Sequence, residues 1–81
     1  PHMRTSVAAL LLRFAATPEL VETVFLLLSD PEPQVRADAI RAAEQVGDHR
    51  FESRLEGLSM SDPLMSNRQA AARALQAVRA R

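Results

Sequence analysis

Leu28-Ser29-Asp30-Pro31-Glu32-Pro33-Gln34-Val35-Arg36-Ala37-Asp38-Ala39-Ile40-Arg41-Ala42-Ala43 is the stretch whose reading decides the fold. A proline disfavours the helical conformation of the residue before it, so a helix reaching Leu28 stops at Asp30-Pro31. Pro33 can open the next helix, since the first turn leaves its N–H groups unpaired in any case. Downstream, Val35, Ala39, Ile40, Ala43 and Val46 recur at helical spacing, and Gly47 supplies a left-handed C-terminal cap. Shifted by 32 positions, Ser29, Asp30, Pro31, Arg36, Ala39, Arg41, Ala42 and Val46 fall on Ser61, Asp62, Pro63, Arg68, Ala71, Arg73, Ala74 and Val78. The stretch is therefore one copy of a repeat.

Working outward, Thr17 can cap a helix with Pro18 in its first position and Glu19 in its first turn, with Leu20, Val24, Leu27 and Leu28 as its buried face. A shift of 31 matches Leu20, Val24 and Leu27 to Phe51, Leu55 and Leu58, so the second turn holds one extra residue, cheaply placed in a loop. Asp48 caps the short helix that carries those three residues. The last helix is expected to begin at Ser66, which has capping-box spacing to Gln69, and to bury Ala71, Ala72, Leu75 and Val78. Towards the N-terminus, Thr5 can cap a helix running to about Ala16, with Val7, Leu10, Leu11 and Phe14 as its stripe. The expectation is all-α, with five helices: one over about 5–16, a hairpin repeat over 18–47 and a second over 48–79. Pro1-His2-Met3 reads as a cloning remnant, which leaves 4–81 as a single domain. Ala70 to Arg81 is still in helical register at the last residue, which suggests a piece of a longer protein.

Composition agrees with helices. Fourteen Ala and eleven Leu accompany only two Gly, with no Tyr or Trp, among 81 residues, too few strand formers for a sheet. Size scaling gives roughly 8,000 Å² buried on folding, worth roughly 120 kcal/mol if about 60% of it is apolar. Ordering entropy takes back about the same. With no cysteine to staple the fold, apolar surface at the open ends of a short array would favour self-association. The stretch from Arg4 to Ala16 has a signal-like apolar centre, but Arg13 interrupts it and its apolar run is too short for a membrane span. The expectation is a cytoplasmic protein with no membrane insertion.

The Asp-Pro turn followed by Val-Arg and small residues, with Gly47-Asp48 after it, resembles the short bacterial HEAT-like repeat also met in phycobilin lyases. The likeness covers about Pro18 to Val78. Leu64-Met65-Ser66-Asn67 departs from the Pro-x-Val pattern, and Glu52 to Gly57 is unusually polar. The resemblance implies an α-solenoid fragment whose second helices line a concave side, and whose usual work is holding other proteins. It also implies that Arg36 and Arg68 are structural, tying their own turn and the neighbouring repeat through carboxylates such as Asp30 and Asp62.

Arg41 and Arg73 sit off the apolar face at matching places, so stacking would bring them onto one surface with Gln34, Asp38, Gln45 and Gln76. These six residues are the candidate partner-binding site. His49 lies beside Asp48, but zinc needs three or four ligands and a catalytic His needs a nucleophile, so no metal, cofactor or catalytic residue is expected. Glu44, Asp48, Glu52 and Glu56 read as solvated charge. Met60, Met65, Leu58 and Leu64 cluster at the second turn, where filling of the core is favoured over an adaptable docking patch. The leading expectation is a non-enzymatic scaffolding module that binds a protein partner or other domains of its parent chain. Residues 1–40 carry three Arg against five acids and residues 41–81 seven against five. That imbalance is too slight for a phosphate-binding face, so nucleic acid is the lesser alternative, beside an accessory role in an enzyme.

Overall fold

The computed structural model describes residues 17–81. The helix expected over about 5–16 lies outside the described residues. Four α-helices occupy the rest: α1 (Pro18–Leu27), α2 (Pro33–Val46), α3 (Glu52–Ser61) and α4 (Met65–Arg79), with a 3-10 turn, His49–Phe51, leading into α3. Consecutive helices pair, α1 on α2 and α3 on α4, and the pairs join chiefly through α2 on α4. The first helices meet at Phe25, whose ring lies 6.0 Å from that of Phe51 and beneath the Arg54 guanidinium at 5.5 Å.

The caps follow the sequence closely at most ends. Thr17 Oγ1 accepts from the Leu20 N–H at 3.1 Å, and Pro18 occupies the first position of α1. Gly47 ends α2 with φ +71°, its N–H donating to Ala43 O. Asp48 then accepts from the Arg50 N–H at 2.8 Å. The helix it caps opens with a 3-10 turn before becoming regular at Glu52.

One cap differs. Helix α4 starts at Met65, with no side-chain cap, so Ser66 lies inside the helix instead of heading a capping box with Gln69. The reason is upstream. Asp62 Oδ1 accepts from the Leu64 N–H at 2.9 Å, as Asp30 Oδ1 accepts from the Glu32 N–H at 2.9 Å, so in both repeats the Asp-Pro turn itself sets the entry.

The core is made by Leu20, Val21, Val24 and Leu27 of α1 with its cap residue Leu28, by Val35, Ala39, Ile40, Ala42 and Ala43 of α2, and by Phe51, Leu55, Ala71, Ala74, Leu75 and Val78 of the second repeat. On α4 the buried stripe runs through Asn67, Ala71, Ala74, Leu75 and Val78, whereas Ala72 is exposed. The expectation of Ala72 inside fails, because it sits about 100° round the helix from Ala71, beyond the edge of the buried stripe. Ala74 corresponds to Ala42, on the side where α2 covers it. Ala72 corresponds to Ile40, on the side away from α2.

Candidate functional site

A brace between the repeats fixes everything built on top of it. Arg36 Nε donates to Asp62 Oδ2 at 2.7 Å, and its Nη1 donates to the backbone oxygens of Asp30 at 2.9 Å and Pro31 at 3.0 Å. The Asp62 side chain is fully buried and that of Arg36 is 11% exposed. Burial pushes the Asp62 carboxyl up, but hydrogen bonds from Arg36 and the Leu64 N–H outweigh it and hold the group below its ordinary value. Arg68 repeats the clamp on its own turn, with Nη1 donating to Asp62 O at 2.7 Å and Pro63 O at 3.4 Å. Among the described residues, the Arg36 and Arg68 side chains thus bind their own turns through carbonyls, and Arg36 reaches the neighbouring repeat through the Asp62 carboxylate. Asn67, buried where the first repeat has Val35, adds a second cross-repeat bond, donating from Nδ2 to Pro33 O at 3.1 Å. A polar residue at this register interrupts the apolar stripe, so helical periodicity alone does not mark it as buried.

The helices α2 and α4 are held side by side, and their exposed faces carry five of the six candidate residues. Gln34, Arg41 and Gln45 are exposed at i, i+7 and i+11 on α2, and Arg73 and Gln76 are exposed on α4. Ser66, exposed within the first turn of α4, is the counterpart of Gln34. Asp38 does not lie on these exposed faces. Only 7% of the residue is exposed. One of its oxygens accepts from Arg41, and the other has no hydrogen-bond partner among the described residues. At the flank of α2, one turn before the buried Ala42, its carboxylate anchors Arg41 from below. The resulting surface carries two guanidinium groups, one of them paired with Asp38, and neutral hydrogen-bonding side chains, with the half-exposed Glu44 at the place on α2 that Gln76 takes on α4. It suits recognition of carboxylates and backbone carbonyls.

The remaining candidates fall elsewhere. His49 Nδ1 lies 2.6 Å from Glu52 Oε2. The Glu52 carboxylate, helped by the backbone of Arg81, raises the imidazole pKa above its ordinary value, and the imidazole in turn lowers that of Glu52. Arg79 closes the cluster, with Nε 3.3 Å from Glu52 and Nη2 3.1 Å from Glu56. Asp48 is held down to about 2 by the Arg50 side chain and backbone N–H. These are surface ion pairs and caps. Among the described residues there is no group of three His, Cys, Asp or Glu able to hold a metal ion.

Between α1 and α3 runs an open groove of about 400 Å³ lined by Phe25, Ser53, Arg54, Gly57, Leu58 and Ser61. At the second turn Met60, Leu64 and Met65 are 75%, 43% and 63% exposed, and only Leu58 packs against the core. Filling of the core by this cluster, the favoured reading of the sequence, therefore fails for three of its four members. The tight Asp62-Pro63 turn keeps these side chains outside the interface between the repeats.

No described helix is long and apolar enough to cross a membrane. Neither a curated protein nor a solved structure matches the chain significantly. A family model for HEAT repeats matches residues 3–79, nearly the whole sequence and both hairpins. Two hairpins with the same Asp-Pro turn, the same Arg clamp and paired second helices, together with that match, place this chain in the HEAT-repeat family.

Proposed function

We propose that this chain is a non-catalytic protein-binding segment of an α-solenoid, and that it engages its partner through the outward surface of its two second helices. The observation that carries the reading is the disposition of Gln34, Arg41, Gln45, Arg73 and Gln76, all exposed on adjacent, braced helices. HEAT repeats commonly mediate protein–protein contact, and such a surface offers donors without the ordering cost of a loop. The partner class it suits is a protein segment that presents carboxylates or free carbonyl groups. Binding to nucleic acid has less support. Of the three Arg on α4, Arg68 binds carbonyls of its own turn and Arg79 is paired with Glu52 and Glu56, which leaves Arg73. A bacterial parent and a scaffolding role are part of the same reading.

Site-specific photo-crosslinking in cells tests it. A crosslinker at Gln45 or Arg73 is expected to give a discrete adduct with one protein, and the same group at Glu19 or Glu22 on the outer side of α1 is expected to give none. Equal labelling from both faces, or none from the second helices, would refute the assignment. Arg73→Glu is the matching substitution, because Arg73 makes no ion pair within the described residues. Arg41 is a poorer choice, since removing it strands the buried Asp38.

A further inference from the structure

The two repeats treat their leading faces in opposite ways. On the first repeat, that face is where the second repeat lands: Val21 and Leu28 are buried, Phe25 packs on Phe51 and Arg54, and Ile40 is fully covered. The 31- and 32-residue shifts carry these four positions to Glu52, Ser59, Glu56 and Ala72. Each is polar or small where its counterpart is apolar and large. Moreover, the charged positions are tied together, since Arg79 reaches across from α4 to bond both Glu52 and Glu56.

We infer that the second repeat is a stack-terminating cap whose leading face, formed by Glu52, Glu56, Ser59, Ala72 and Arg79, is built to stay in water and not to receive another hairpin. A further hairpin laid there would take three charges out of solvent, and their mutual attraction in a dry interface rarely offsets that loss. In place of Phe25, Leu28 and Ile40 it would find no apolar area large enough to compensate. Arg68 needs no neighbour for its local role, because it orders its own turn through Asp62 O and Pro63 O. Met60, Leu64 and Met65 are exposed at the turn between α3 and α4 and are not among the counterparts of Val21, Phe25, Leu28 and Ile40. Self-association through this end, expected if repeat ends were apolar, is thereby opposed.

Weight-average mass by sedimentation, followed from about 10 to 500 µM, tests the inference, because a sticky array end makes mass depend on concentration. The variants restore first-repeat residues: Glu56→Phe alone, and Glu52→Val with Glu56→Phe and Ser59→Leu. The wild-type chain is expected to keep monomer mass, and the variants to at least double it while retaining helical circular dichroism. Because Glu56 is exposed, the single variant is read even if the triple one misfolds. If both variants stay monomeric and folded across the range, the inference falls. It also falls if the wild type associates and Ala72→Arg abolishes that association. Wild-type association that Ala72→Arg leaves intact runs through another surface and agrees with a closed leading face.

Discussion

Arg36 and Asp62, 26 residues apart, form the one buried ion pair between the two repeats among the described residues, with Nε 2.7 Å from Oδ2. The same guanidinium holds the turn of its own repeat, so one side chain fixes both the entry to α2 and the position of the neighbouring hairpin.

Removing one partner of this pair leaves the other charge buried. Asp62→Ala is expected to destabilise the fold by about 3 kcal/mol or more, measured by urea unfolding. Arg68→Ala, which loses only bonds to carbonyls of its own turn, is expected to cost about 1 kcal/mol. Equal losses would show that the brace between repeats is not what sets stability.

Acid sensitivity follows from the same carboxyl. Its folded pKa lies below the unfolded value, so its contribution is present above the unfolded pKa and is lost as pH falls through the folded one. Stability measured against pH is expected to drop on the acid side, and the drop should shrink in Asp62→Asn. An unchanged acid limb in the variant would assign that limb to other groups.

The His49–Glu52 pair titrates in the opposite sense at its basic end. The folded pKa of His49 is raised from 6.5, so its contribution is complete below the unfolded value and disappears as pH rises through the folded one. The pKa of Glu52 is lowered from 4.5, so its contribution disappears as pH falls through its folded value. By NMR, the His49 ring is expected to titrate above 6.5 in the wild type and to return towards it in Glu52→Gln. No difference between the two would mean that the pair does not form in solution.

Gly47 combines two demands on one residue. Its φ of +71° disfavours any Cβ, and a Cβ there would also overlap the Arg81 side chain, whose Nη2 donates to Glu44 O at 3.2 Å. Gly47→Ala is expected to lower stability by more than about 1 kcal/mol. Adding Arg81→Ala should recover only the part due to overlap. Full recovery would remove the backbone argument.

Ala72 and Ala74 lie on opposite flanks of α4 and separate its open side from its covered one. Ala74→Leu is expected to cost about 1–3 kcal/mol by overpacking, whereas Ala72→Leu should stay within about 0.5 kcal/mol. Thermal melts of the two variants give the comparison, and a reversed order would mean that α4 is rotated from its place here.

What the sequence by itself determined was punctuation and period. Thr17-Pro18, the two Asp-Pro turns and Gly47-Asp48 each act through their own backbone or the next few residues, so they mark helix ends whatever the surroundings. The shift of 32 likewise disclosed two hairpins, since residues that do the same local work recur at the same spacing. Which flank of each helix is covered was decided by the tertiary structure alone. A helical stripe is wide enough to admit Ala72 or Ala74, and Asp38 or its neighbours, and the choice depends on which side the adjacent hairpin occupies. The burial of Asp38 and Asn67, the exposure of Met60, Leu64 and Met65, and the reach of Arg36 to Asp62 all come from packing between segments distant in sequence. No local preference encodes that packing.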